Sequence, residues 1–414
     1  MGKKTTVRAR RSKATLSAPI PPEICAIICE MVADRRGLLI LCRMSSTFRA
    51  QAQRLLYHSI DLSEKPMRKL NSWAAAVSKH AYLGEFVHSL VLRLPDMVSF
   101  EASTANKLGR ALSKCVNLKE LRILSEGRGS VVGSRHNSFN AWMLNKCSFR
   151  LWRFENQYFD DTVLKEFWRK QTELRVLSTG NDVYSLDPDL EILPQLIAVN
   201  SDFMFNLPGE RPLQRIETMA HNDLTHLQKF EATLTTLNLT RAHPDKTFPI
   251  GAVIKLVAES LPNLVHFGYI EEDRCWDVRV SSIFLALLAT HVLQRSYHPH
   301  GVTSKAVLQK FTKLQTLLLQ LQDTWRFVVE GASDAEHYLT TPTDVCDLGR
   351  DIMAVCPTLR RTAIHIKLFG MGVSVLTRSQ PGETIHEDPG PWHRCETFSM
   401  FWDPATVPLP VHDV

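Results

Sequence analysis

No run of this sequence is apolar for long enough to cross a bilayer. The longest, GLLILC at Gly37–Cys42 and IFLALLA at Ile283–Ala289, fall far below the roughly 20 residues a membrane helix needs. The nine cysteines contain no Cys-x-x-Cys pair, and an odd count leaves at least one outside any disulfide scheme. Reduced thiols in the cytosol or nucleus are the expectation. A Gly-rich phosphate loop is missing: no helix opening on Lys-Ser or Lys-Thr follows Gly127, Gly129 and Gly133, so that segment reads as a mobile loop. His298 and His300 flank a proline beside Tyr297 without a third or fourth ligand in view, so no metal site is expected there. Strong net charge is also lacking. The formal balance is +6, and Lys3, Lys4, Arg8, Arg10, Arg11 and Lys13 alone carry that much. A near-neutral body argues against nucleic acid as the main partner.

What is present is an ordinary globular composition, 44% hydrophobic and 22% charged, neither disordered nor membranous. A chain of 414 residues is long enough for a large core, as several units or as one elongated array. Residues 1–18 form a basic leader without an apolar h-region, expected to be a disordered tail, with nuclear import as the sharper alternative.

Three short helices come next. From Pro22 the apolar residues Ile24, Ile27, Ile28, Met31 and Val32 keep helical spacing, and proline is tolerated in a first turn because its missing N–H would have had no partner. The pattern breaks at Asp34–Gly37, resumes at Leu38, Leu39, Leu41 and Cys42, and returns after Ser45 and Ser46 in Phe48, Ala52, Leu55 and Leu56. So small a bundle cannot bury every apolar face internally, which points to a partner. Cys25 and Cys29 lie on or beside the face of Ile24 and Ile28, where cysteine acts as a small apolar residue.

Beyond the helices, apolar residues recur at positions 1, 4 and 6 of a short motif: Leu118, Leu121 and Ile123; Leu234, Leu237 and Leu239; Leu314, Leu317 and Leu319. Weaker copies start at Val87, Phe149, Leu174, Leu196, Leu264 and Leu359. Helical stretches lie between them, at TANKLGRALSKC, DTVLKEFWRK, IGAVIKLVAESLPN and TDVCDLGRDIMAVCPT, with a further helix at Ser72–His80. Strand and helix in repetition predict an α/β fold, a curved solenoid with parallel strands on the concave side and helices on the convex side. Trp392, Phe398, Phe401 and Trp402 are expected to close its end. The competing reading is an ordinary mixed α/β domain rich in leucine.

The series Ile20, Pro21, Glu23, Ile24, Ile28, Leu38, Leu39, Leu41, Met44 and Phe48, closing with LLYHSIDLS at Leu55–Ser63, resembles an F-box, most like those of fungal proteins that run on into irregular leucine-rich repeats. The sequence departs from that pattern at Ile20, where the family has Leu, and at Met44-Ser45, where Val-Cys is common. The asparagine of regular leucine-rich repeats is replaced by Glu126, Ala242 and Gln322, which predicts uneven turns. The resemblance implies an F-box-like module over 19–63 and a leucine-rich-repeat-like solenoid over 64–414. It implies docking on a Skp-type linker of a cullin-RING ubiquitin ligase through Ile20, Pro21, Glu23, Ile24, Ile28, Leu38, Leu39, Leu41 and Phe48.

On that reading the chain is a non-catalytic adaptor without cofactor, metal, nucleic acid or membrane, in the cytoplasm or nucleus, and it binds a protein substrate. Candidate substrate contacts are the residues between the leucines: Lys119, Glu120, Arg122, Arg175, Thr235, Thr236, Asn238, His266, Gln315, Thr316, Gln320, Arg360, Arg361 and His365, with Arg360, Arg361 and His365 the best cluster for an acidic or phosphorylated partner. The alternative is a repeat-based scaffold outside any ligase, its three helices serving as an N-terminal cap; a weaker one is a hydrolase-like enzyme.

Overall fold

Prolines set the entry to the first helix: Pro21 is extended at ψ 144 and Pro22 occupies the first turn of α1 (Pro22–Met31). Helix α2 (Arg35–Met44) starts at Asp34, whose carboxylate accepts the Gly37 N–H at 2.8 Å. Helix α3 (Ser46–His58) starts at Ser45, whose hydroxyl accepts the Phe48 N–H at 3.2 Å. Each such cap is worth about 1 kcal/mol. Cys25, Cys29, Leu38, Phe48, Ala52 and Leu56 form the interior of this module. In the computed structural model the described residues are 20–95, 100–125, 140–179, 193–201, 211–220, 224–241, 250–271, 301–321, 326–330, 337–338, 342–366, 373–380 and 383–387. The basic leader, the Gly127–Gly133 loop, the His298–His300 tract, the Ile283–Ala289 run and the C-terminal aromatic cluster lie outside them, as do Glu126, Ala242 and Gln322.

No linker separates the three helices from the sheet. His58 ends α3 and Ser59 opens β1 (Ser59–Asp61), whose Ile60 is buried in the main core. Helix α4 (Met67–Lys79) begins five residues before the expected Ser72, because Met67 and Leu70 already continue the stripe of Trp73, Ala74 and Val77 behind Pro66. Then come α5 (Ala81–Glu85), β2 (Ser89–Leu94), α6 (Ala102–Leu112) and β3 (Glu120–Ser125). The strands continue as β4 (Arg153–Asn156), β5 (Val176–Thr179), β6 (Ala198–Ser201), β7 (Arg215–Met219), β8 (Thr236–Arg241), β9 (His266–Glu271), β10 (Gly301–Ser304) and β11 (Thr316–Leu321). The last are β12 (Arg326–Glu330), β13 (His337–Tyr338), β14 (Arg361–Ile366), β15 (Val373–Thr377) and β16 (His386–Glu387).

Among the described residues, thirteen strands form one open sheet in chain order, parallel from β1 to β14 and antiparallel through β15 and β16; β10, β12 and β13 form a separate small sheet. The fold is mixed α/β with a mainly parallel sheet. Each of the apolar motifs marks a strand, and the register stacks them into columns: Leu90, Leu121, Phe154, Leu177, Val199 and Ile216 are successive partners. Leu237, Phe267 and Leu317 carry the column onward. All nine are essentially inaccessible to solvent and join one continuous core.

Three details depart from the sequence reading. The motif expected from Phe149 is phased two residues later, because Phe154 pairs with Leu121 and Asn156 with Ile123, which makes Leu151 its first member. A further copy, Leu213, Ile216 and Thr218, forms β7; its sixth position is polar, as it is in Asn156, Thr179 and Ser201 of the preceding strands. The residues between the leucines do not all face solvent. Thr236, Asn238 and Gln320 are buried, since β8 is covered on both faces and β11 nearly so, whereas β2 and β3 alternate as a one-sided sheet does.

Helix α5 rests against the turn after α6 at Gly84, where an added Cβ would sit 2.6 Å from the Lys114 carbonyl oxygen. Gly84→Ala is therefore expected to cost about 1–3 kcal/mol, measured as a lower melting temperature, while Gly37→Ala, which meets only movable side chains of Val32 and Asp34, costs less.

Candidate functional site

Two surfaces come out of this architecture. The first is the outer side of α1 and α2. Cys25 and Cys29, four residues apart, turn inward, so the bulkier residues of α1 turn out: Ile24 is 46% exposed, Ile27 51% and Met31 80%. On α2, Leu38 goes inward and Leu39, Ile40 and Met44 remain 51%, 62% and 64% exposed. Large aliphatic side chains thus stay exposed on two helices that both pack on α3, and apolar surface of this kind suits contact with a partner. Of the residues expected at the docking surface, Ile20, Pro21, Glu23, Ile24 and Leu39 are exposed, while Ile28 and Leu41 are half-buried. Leu38 and Phe48 are interior residues, a correction: both belong to the module's own core, which would collapse without them.

The second surface is the sheet face between the leucine columns. Its register places Arg215, Thr236, His266, Thr316 and Arg361 in one row across five adjacent strands, of which Arg215 and Thr236 are buried and only His266, Thr316 and Arg361, all half-buried, reach the surface. His266 and Arg361 are thus two strands apart, and His365 lies further along β14 on the same side. Arg360 precedes the strand, exposed, with its N–H on the Gln315 carbonyl. Arg122 does not join them. Five strands intervene between β3 and β9, roughly 30 Å along a flat sheet, and its guanidinium is paired to Glu155. Arg175 is half-buried just before β5, likewise distant in strand order. Sequence reasoning missed Arg215 because it missed β7; the signal available was Leu213-x-x-Ile216.

No family model and no curated protein matches this chain. The site must therefore be read from its own chemistry. Burial pushes the thiols of Cys115 and Cys147 up to about 12, and those of Cys29 and Cys42 upward as well, so these cysteines stay protonated at neutral pH. Among the described residues no group of three or more His, Cys, Asp or Glu side chains is arranged to hold a metal ion. Nor is any described helix long and apolar enough to cross a membrane. What the exposed groups offer is apolar contact on α1 and α2 and hydrogen bonding on the sheet.

Two histidines respond to acid in the same sense. His58, at the junction of α3 and β1, stacks on His88 with centroids 4.5 Å apart; burial, then His88 and Arg54, lower its proton affinity, against a smaller opposite pull from Glu120. Burial, then Arg215, does the same for His266. A histidine whose folded pKa lies below its unfolded value binds more protons when unfolded. Its contribution to stability is then complete above the unfolded value of 6.5 and is lost as pH falls through the folded value. The melting temperature is expected to drop on acidification from about pH 7 to about pH 5.5, and the drop should shrink in a His58→Gln, His266→Gln double variant.

Proposed function

We propose that this protein is a non-catalytic substrate adaptor of an SCF-type cullin-RING ubiquitin ligase. In this reading residues 19–63 are an F-box-like module that docks on the Skp-type linker subunit, and residues 64–414 are an irregular leucine-rich-repeat solenoid that holds a protein substrate, in the cytoplasm or nucleus. The observation that carries it is the outward turn of Ile24, Ile27, Met31, Leu39, Ile40 and Met44 on a module whose interior is only six residues. Bond making would belong to other subunits. The adaptor would contribute proximity, turning a bimolecular encounter between an acceptor lysine and the charged ubiquitin carrier into a nearly intramolecular one.

The rival reading, a scaffold capped by three helices, draws support from the direct passage of α3 into β1. A cap, however, would bury its largest apolar side chains against the sheet, and here they stay exposed. Co-purification of the full chain with a recombinant Skp-type linker is the deciding experiment. A stable stoichiometric complex supports the adaptor, and absence of binding overturns it.

A further inference from the structure

The exposed side of α2 is not simply apolar. Arg36, Leu39, Ile40, Arg43 and Met44 follow each other at i, i+3, i+4, i+7 and i+8, so they form one stripe, and all five are exposed. Among the described residues none of the carboxylates of the neighbouring segments, Glu23, Glu30 and Asp34, is paired with this stripe. Asp34 caps the start of α2 through the Gly37 N–H, and Glu30 of α1 is paired with Arg54 of α3 at 2.9 Å. Arg49 of α3 donates to the Cys42 carbonyl at 3.0 Å. Among the described residues, Arg36 and Arg43 have neither an ion pair nor a side-chain hydrogen bond.

We infer that the partner of this helix is a protein groove with an apolar floor for Leu39, Ile40 and Met44 and a carboxylate at each of two points about 10 Å apart along the helix, seven residues at 1.5 Å each. One carboxylate faces Arg36 and the other Arg43. This rests on the adaptor reading and specifies what the Skp-type linker must present. Arginine suits the role because its planar fork meets a carboxylate in bidentate fashion and keeps its charge at the rim of an interface. Charge at such a rim acts on the rate of encounter and on the choice of partner more than on the persistence of the complex.

The test measures association rate and affinity of the full chain for the purified linker at low and high ionic strength. The variants are Arg36→Glu/Arg43→Glu and, as a conservative control, Arg36→Lys/Arg43→Lys. Both positions are exposed, and circular dichroism verifies the fold. The expected result is wild-type association that slows as salt is added, an affinity at low salt reduced on the order of 100-fold by the charge reversal, and retention of most of it by the Lys pair. Tight wild-type binding that neither salt nor charge reversal alters overturns this inference and leaves the adaptor reading intact. Failure of the wild type to bind the linker overturns both. In that case, wild-type binding to vesicles containing phosphatidylserine, lost on charge reversal, would assign the stripe to a membrane surface instead.

Discussion

Replacing Ile24 and Leu39 together with Asp is expected to abolish co-purification with the Skp-type linker while leaving the melting temperature within a degree or two. Each side chain is already about half covered, so passing to full burial in a complex contributes roughly 0.7–1.5 kcal/mol, half of what a fully exposed one would. Losing two weakens binding by about 10-fold to 100-fold at 1.4 kcal/mol per tenfold, and the carboxylates forced against an apolar floor supply the rest of the loss. Stability should hardly respond, because surface substitutions are usually within about 0.5 kcal/mol of neutral. Leu38→Asp supplies the contrast. It lies next to Leu39 but is buried, so it should unfold the module and lose binding for a different reason, visible by circular dichroism. Unaltered co-purification of the Ile24, Leu39 double variant would remove the main support for an adaptor.

Asn156→Ala is expected to be strongly destabilising for the truncation of one polar side chain. The side chain is wholly buried at the end of β4 and ties down the turn after it: Nδ2 donates to the Phe159 carbonyl at 2.7 Å, and Oδ1 accepts from the N–H groups of Phe159 at 2.9 Å and Tyr158 at 3.2 Å. Alanine leaves three buried backbone groups to find other partners, at about 1–3 kcal/mol each if they do not. A loss of about 3 kcal/mol or more is expected in urea unfolding. Native-state hydrogen exchange should accelerate first at Tyr158 and Phe159. Asn156→Asp keeps an oxygen for the two N–H groups but, when ionised, sets its second oxygen against the Phe159 carbonyl and buries a charge, so it should be no milder than Ala. Asn200→Ala, on the half-exposed face of β6 with one bond to Glu217 at 3.2 Å, should cost less than about 1 kcal/mol. Equal effects at positions 156 and 200 would show that the turn is not held by Asn156.

The strands were legible in the sequence wherever all three inward positions are apolar, as in Leu118, Leu121 and Ile123, because burial in a column selects them directly. Legibility falls where the sixth position is Asn, Thr or Ser. There the side chain bonds within the protein instead of filling hydrophobic space, and the motif loses a third of its signal; β7 vanished for that reason and the copy at Leu151 was misphased. In the helical module the spacing foretold three helices, and the resemblance put Ile24 on the docking side, where it is exposed. What spacing alone did not separate is Ile24 from its neighbours on the same stripe: Cys25 and Cys29 turn inward and Ile28 is half-buried, while Ile24 and Ile27 stay outside. The stripe of Arg36 and Arg43 could be written down from spacing alone. That no carboxylate answers it could not, since this depends on where Asp34 and Glu30 spend their charge.

Strand order in the large sheet equals chain order, and this bears on synthesis. As the chain leaves the ribosome, N-terminal end first, every strand from β2 to β9 meets an edge that is already built, and none has to wait for a later segment to supply its partner. Non-local pairing, ordinarily the slow step for parallel strands, becomes a series of short closures between one strand and the next. The helices α1–α3 precede β1 in the chain and continue directly into it. The antiparallel return of β15 and β16 follows β14 and ends the run of parallel additions.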